Sequence, residues 1–239
     1  MIVDVEIYLN PRKGPSVQEL ASLEKQAGID IAILMPDPSL RPDNAAIRDA
    51  ASQCPMFLPC ACVNPQYGQE AVAEFEKAVK EWGFRGLKLM PPKHGYRIVE
   101  EIVYPLLEKA SELGVPVSVH SGQESCTPAD IGLMALEFPK VPFIMDHMGY
   151  RYSVRQAILA ARHAPNLYLA TTAVPEPGFI KDAVSKLGPE RVLFGSNGPS
   201  MPPDLQLEVI RRARLGAEAE ALILGGNAVR IYQIELGRE

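Results

Sequence analysis

The sequence is poor in cysteine and in positive charge. Its four cysteines, Cys54, Cys60, Cys62 and Cys126, are too few for a disulfide scaffold and lack the paired C-x-x-C spacing of a structural zinc site. They read as small buried thiols of a reducing compartment. Lys and Arg number 24 against 29 Asp and Glu, a formal net charge of −5, and they are scattered rather than striped. That excludes a basic phosphate-binding face and, with it, nucleic acid as the main partner. No apolar run comes near the ~20 residues that cross a bilayer; the stretch 29–35 is already interrupted by Asp30. The N-terminus lacks the basic-then-apolar order of a secretion signal, because Asp4 and Glu6 fall inside its apolar stretch. The chain is therefore expected to stay in the cytoplasm and to engage no membrane. Also missing is a G-x-G-x-x-G after the first apolar run, the main signature of a dinucleotide-binding open sheet.

What is present is an ordinary globular composition, 47% hydrophobic and 22% charged, over 239 residues, which excludes wholesale disorder. Short apolar runs recur at 2–7, 30–35, 56–63, 86–89, 116–120, 142–146, 166–170 and 191–195. Most are rich in Val, Ile, Leu or Phe, as strands buried on both faces should be. Helical periodicity fills the gaps, with apolar spacings of three and four over 16–27, 71–82 and 99–113. Gly28, Gly83 and Gly114 follow these segments as helix stops, and Pro105 belongs in a first turn or at a bend. Cys60 and Cys62, two apart on one run, should point the same way. Eight alternations without a linker predict an α/β fold, a closed (β/α)8 TIM barrel forming a single domain over 1–239. Helices from about 203 onward are expected to cover one end.

In such a barrel the chemistry sits at the C-terminal ends of the strands. Those ends read Asp4-Val5-Glu6-Ile7-Tyr8, Lys88, His120-Ser121-Gly122, Asp146-His147-Met148-Gly149, Thr171-Thr172 and Gly195-Ser196-Asn197. His120 and His147 each directly follow an apolar run on adjacent strands, and two neutral imidazoles at one mouth suit a shared divalent cation. The plainer alternative is a pair of hydrogen-bonded histidines in a polar mouth. His94 lies in a Pro-rich loop where it would line a pocket, whereas His163 closes a helix, where the dipole explains it.

The chain resembles the amidohydrolase-related metal-dependent hydrolases, a family that includes carboxylate decarboxylases, over nearly its whole length. The resemblance is carried by Gly86-Leu87-Lys88-Leu89-Met90-Pro91, by Tyr104-Pro105 through His120-Ser121-Gly122, and by Phe138-Pro139 through His147-Met148-Gly149. Arg191 through Pro199 and Gly226-Asn227-Ala228 through Tyr232 are similar to the family's strand-8 motif and C-terminal helix. The departures matter as much. The family's D-x-H-x-H on strand 1 reads Asp4-Val5-Glu6-Ile7-Tyr8 here, and its strand-8 aspartate is Asn197, an amide that accepts no proton from water.

The resemblance implies a hydrolase or decarboxylase acting on a small carboxylate or carbonyl compound. Its cofactor would be a divalent metal, zinc by the family's habit, at a diminished site of Glu6, His120 and His147, or none at all. The implied catalytic residues are His120, His147, Lys88 and Asn197, with Tyr8, Lys88, His94 and Ser121 on the substrate. Lys88 has two readings, a carboxylated metal ligand as in some relatives or an ammonium paired with a substrate carboxylate or Glu6. A pseudo-enzyme or small-molecule binding protein on the same barrel is the alternative of a different class. Specificity would reside in the loops 36–44, 91–97 and 199–204, and exposed apolar helices would support a homodimer.

Overall fold

A computed structural model describes residues 1–235; positions 236–239 of the domain expected over 1–239 lie outside the described residues. All eight expected strands form, and all pair in parallel. They are β1 (Val3–Leu9), β2 (Ile31–Pro36), β3 (Phe57–Pro59) continuing as β4 (Ala61–Cys62), β5 (Leu87–Leu89), β6 (Val117–Val119), β7 (Phe143–Met145), β8 (Leu167–Ala170) and β9 (Val192–Leu193). The expected run 56–63 splits because its neighbours change: β3 pairs with β2 and β4 with β5. Pro59, with no N–H to give a ladder, marks the break. The ring closes where β1 meets β9: Val5 N–H donates to the Phe194 carbonyl (3.1 Å), Asn197 N–H to Glu6 (3.0 Å) and Tyr8 N–H to Gly198 (2.8 Å). The result is the expected (β/α)8 barrel.

The connecting helices, α2 (Asn44–Gln53), α4 (Pro91–His94) and α10 (Ala217–Ala221) among them, follow local chemistry. α1 (Val17–Gln26) opens on a reciprocal Ser16–Glu19 capping box, and α3 (Gln69–Trp82) stops at Gly83 in the left-handed region. The segment expected to be helical over 99–113 begins instead as a 3₁₀ turn. α5 proper is Tyr104–Leu113, with Pro105 in its first turn, where a missing N–H costs nothing. α6 (Pro128–Glu137) packs on α7 (Tyr150–His163), and α9 (Pro203–Ala213) packs on α8 (Pro177–Leu187). Inside the barrel, Val3, Val5, Ile33, Cys60, Ile144, Ala170 and Leu193 form a separate core. Its N-terminal end is closed by Ala228, Ile231 and Tyr232 from α11 (Asn227–Ile231) and the residue after it. Among the described residues no helix is long and apolar enough to cross a membrane.

One irregularity in β1 decides what faces the mouth. Asp4 registers with Ala32 but Ile7 with Leu34, so β1 carries one extra residue. Alternation alone would send Val3, Val5, Ile7 and Leu9 inward. After the bulge the phase flips: Ile7 and Leu9 join the outer core, while Glu6 and Tyr8 turn to the mouth.

Asp4, on the other side of the bulge, faces Glu24 of α1. Its Oδ1 accepts the N–H groups of Glu6 and Ser196 (3.0 Å each). Its Oδ2 and both Glu24 carboxyl oxygens are buried without a hydrogen-bond partner among the described residues. Burial pushes the Glu24 carboxyl up to about 9 from 4.5, with the Asp4 charge adding to it. Burial also lifts Asp4 from 3.8 to about 7, against the hydrogen bonds from Ser196 and Glu6. Both acids hold protons in the folded state that the unfolded chain releases, so stability declines as pH rises through the interval 4.5 to about 9. Thermal unfolding measured across that range should show the decline. Glu24→Gln should abolish the decline between about 7 and about 9, the stretch above the Asp4 value where Glu24 alone still holds its proton.

Candidate functional site

At the mouth, four strands contribute to one buried charge cluster. Lys88 lies beside Ser118 in the β5–β6 register, and its side chain has no solvent exposure. Its ammonium donates to Glu6 Oε1 (2.7 Å), to Asp146 Oδ2 and to Ser118 Oγ (3.3 Å), so its three N–H bonds have three acceptors. Ser118 Oγ in turn donates to Asp146 (2.8 Å), and the Tyr8 hydroxyl donates to Glu6 Oε1 (2.5 Å). Burial alone would raise the Glu6 carboxyl, but the charge of Lys88, helped by His147 and by hydrogen bonds from Lys88 and Tyr8, brings it down to about 2. Asp146 moves the other way, up to about 6, through burial and the neighbouring Glu6 charge, only partly offset by Lys88. Burial and the Glu6 charge also raise Tyr8, which stays a phenol. Lys88 is held firmly protonated: the two carboxylates outweigh its burial. Of the two readings of Lys88, the paired ammonium is the one these contacts describe.

The two histidines stand beside this cluster. His147 Nε2 and His120 Nδ1 are 3.0 Å apart, with the rings edge to face. The tautomers follow from the partners. His147 Nδ1 lies 3.0 Å from the Thr172 carbonyl, which can only accept, so that nitrogen carries the proton and Nε2 is an acceptor. His120 Nδ1 must then be the donor, leaving His120 Nε2 as a lone pair that receives the Gln123 amide at 3.3 Å. The chain runs Gln123 to His120 to His147 to Thr172. Burial, with His147 and the Lys88 charge close by, pushes His120 down to about 3, so its ring is neutral at ordinary pH.

Holding this pair costs backbone strain. His147, Met148 and Tyr150 have φ of 59°, 49° and 58°, with Gly149 between them at 78°. Non-glycine residues rarely adopt such values, and each costs of order 1–3 kcal/mol. Ala173 and Asn197, at the ends of β8 and β9, share the conformation. Ser121 Oγ braces the segment, donating to the Asp146 carbonyl and accepting the Gly149 N–H (2.9 Å). Gly122 (φ +88°) lets the two loops touch: a Cβ there would lie 2.3 Å from Tyr150 Cβ.

A cavity of about 590 Å³ opens above the pair, lined by Tyr8, Asp37, Met90, Lys93, His120, Ser121, Gln123, His147, Tyr150, Tyr152, Asn197 and Ser200 among others. Of the residues expected at the site, Tyr8, His120, Ser121, His147 and Asn197 therefore line one cavity. Lys88 and Glu6 lie buried and bonded to one another and are not among the lining residues. His94 is buried with Nε2 2.9 Å from the Ser39 carbonyl, tying down the loop after β2, and is not among the lining residues. Sequence reasoning missed Asp146 as a partner of Lys88. Its signal was position: a carboxylate directly after an apolar strand, beside a lysine-bearing one.

The donor set does not fit a divalent metal. Glu6 Oε1 is taken by Lys88 and Tyr8, and Asp146 by Lys88 and Ser118. His120 Nδ1 gives its proton to His147 instead of offering a lone pair, and position 197 supplies an amide. Among the described residues no three His, Cys, Asp or Glu side chains converge as ligands.

Several known proteins resemble this one. A 2-keto-4-carboxy-3-hexenedioate hydratase from Sphingobium sp. is 28% identical over 178 residues, 56% of this chain. The chain spans about half of that hydratase, 51% of its length. The crystal structure of 5-carboxyvanillate decarboxylase from Sphingomonas paucimobilis superposes with a TM-score of 0.79 at 16% identity, covering 98% of this chain and 99% of the other. A dihydroxybenzoic acid decarboxylase from Polaromonas sp., with bound manganese, gives 0.74 at 17%, covering 97% and 96%. At such identities the two structures establish the shared barrel and no more. The amidohydrolase pattern matches residues 16–234, beginning after β1, the strand in which both expected histidines are replaced. By that match the chain belongs to the amidohydrolase family.

Proposed function

We propose that this chain is a cytoplasmic enzyme acting on a small carboxylate or carbonyl compound by proton transfer at the His120–His147 pair. Of the reactions open to it, carbon–carbon cleavage by decarboxylation fits better than hydrolysis. The observation that carries the reading is the directed chain from Gln123 through both imidazoles to the Thr172 carbonyl, at the wall of a closed-bottomed cavity. Hydrolysis needs a base for water. Glu6 is engaged by Lys88 and Tyr8, Asn197 cannot accept a proton, and His120, held at about 3, is too weak a base for water. Decarboxylation needs one proton delivered to the carbon that loses carbon dioxide, while a neighbouring oxygen takes up the electron pair. His120 Nε2, the lone pair facing the cavity, takes the proton of the substrate carboxyl group, an acid comparable in strength to its own imidazolium, and hands it to the carbon as carbon dioxide leaves. Asn197 donates to the oxygen, and the Lys93 ammonium adds positive charge at the rim. The 28% identical hydratase, named for an unsaturated keto carboxylate, supports the substrate class.

The second reading, a binding protein on the same barrel, is favoured by the loss of both strand-1 histidines and by Asn197. Turnover separates the two. Hydroxylated aromatic and unsaturated keto carboxylates should be screened for carbon dioxide release, with thermal shift reporting binding. His120→Ala should lower kcat/KM by about 10²–10⁴-fold while retaining the thermal shift. Binding without turnover across the panel would leave the binding protein as the answer.

The pH profile gives an independent check. Because burial and His147 hold His120 at about 3, kcat/KM should show no loss from His120 protonation as pH falls from 7 to 5. An ordinary unperturbed imidazole would lose activity across about pH 6.5.

A further inference from the structure

The proton chain begins with a contact that the proposed reaction must break. Gln123 Nε2 lies 3.3 Å from His120 Nε2, so its amide donates to the lone pair that is to take the substrate's proton. Amide and substrate cannot both hold it, because a neutral imidazole has a single acceptor nitrogen. Nor does the amide serve to fix the tautomer of His120, which is set from the other end by Thr172 through His147. The loop's backbone is tied down while this side chain is not. Gly122 N–H donates to the Cys126 carbonyl (3.2 Å), Cys126 N–H to the Gln123 carbonyl (3.0 Å) and Ile98 N–H to the Ser125 carbonyl (3.0 Å), and Cys126 is buried. Gln123 itself is exposed, and its bond to His120 is long. Holding a glutamine in one rotamer costs about as much as such a bond returns, so the contact is readily exchanged. The side chain also has room to move. Gln123 lines both the cavity above the histidines and a neighbouring one of about 500 Å³, where Arg97, Glu100 and Ser125 offer polar partners.

We propose that Gln123 is the gate of the proton site: at rest its amide closes the His120 lone pair, and a substrate carboxyl O–H takes its place as the side chain swings into the neighbouring cavity. This role rests on the reading of His120 as the proton carrier. The exchange swaps one donor for another, and neither imidazole gains or loses a proton before the reaction begins. A ligand with no hydrogen to donate leaves the gate shut.

The test is acylation of the full chain by diethyl pyrocarbonate, which attacks through a free imidazole lone pair, with each histidine followed by mass spectrometry. The exposed His163 is the internal reference. Gln123→Met keeps the bulk of the side chain and removes the donor. Its His120 should react about two- to tenfold faster than in wild type, the factor that an ordinary net hydrogen bond is worth, while His163 is unchanged. Gln123→Ala should show at least the same gain. On any acid that the chain turns over, Gln123→Met should lower KM by a similar factor and leave kcat within about twofold. Two results overturn the gate: wild-type acylation of His120 in Gln123→Met, or a KM that rises in that variant because the amide was holding the substrate. Acylation needs no substrate, so it decides the gate even where no acid is turned over and the proposed reaction fails.

Discussion

A lysine with no solvent exposure must find an acceptor for each of its N–H groups, and Lys88 finds them on elements far apart in sequence. Glu6 comes from β1, Ser118 from β6 and Asp146 from the end of β7. The mouth is arranged to meet this demand. The bulge in β1 turns Glu6 toward Lys88 and carries Tyr8 with it onto the cavity wall. Ser118 bridges Lys88 to Asp146, whose carbonyl is in turn held by Ser121, and Ser121 fixes the loop that bears His147. Removing one partner would leave a buried charge unmatched, a loss of about 3–5 kcal/mol. The cavity's shape thus depends on an ion pair that does not line it.

Much of the fold was legible because parallel strands covered on both faces must be apolar throughout, and eight such runs stand out in the chain. Polar residues directly after those runs located the mouth, and His120 and His147 were found that way. The rest depended on features that composition does not carry. A one-residue bulge in β1 reverses inside and outside, so the side on which Glu6 and Tyr8 would appear could not be read from alternation. His94 looked like a pocket residue because it sits in a Pro-rich loop, yet a carbonyl from a loop 55 residues away claims its ring. Lys88 offered a charge whose depth of burial is set by three other strands. Asp146 acquires meaning only once Lys88 is known to lie beside it.

The positive-φ residues cluster in the same place. His147, Met148, Tyr150, Ala173 and Asn197 all follow strand ends at the mouth, and two others, Arg214 and Gln233, lie outside it. Strain of this kind persists only where surrounding bonds over-determine the backbone. Here the Ser121 brace and the close approach of Gly122 to Tyr150 supply that constraint. The imidazole pair is therefore set in a rigid frame, and the tautomer chain it forms is fixed by a backbone carbonyl instead of by a mobile side chain.

Tyr232 gives the barrel a floor. It packs with Ala228 and Ile231 against the inner core, and a Cβ on Gly86 would come within 3.2 Å of its ring. Among the described residues the interior consequently opens at the strands' C-terminal end alone. A molecule that enters above the histidines must leave by the same opening, past Tyr8 and Tyr150, before another can follow. A product that lingers there competes directly with incoming substrate, and the traffic rule at the door becomes part of the kinetics of whatever chemistry the vessel contains.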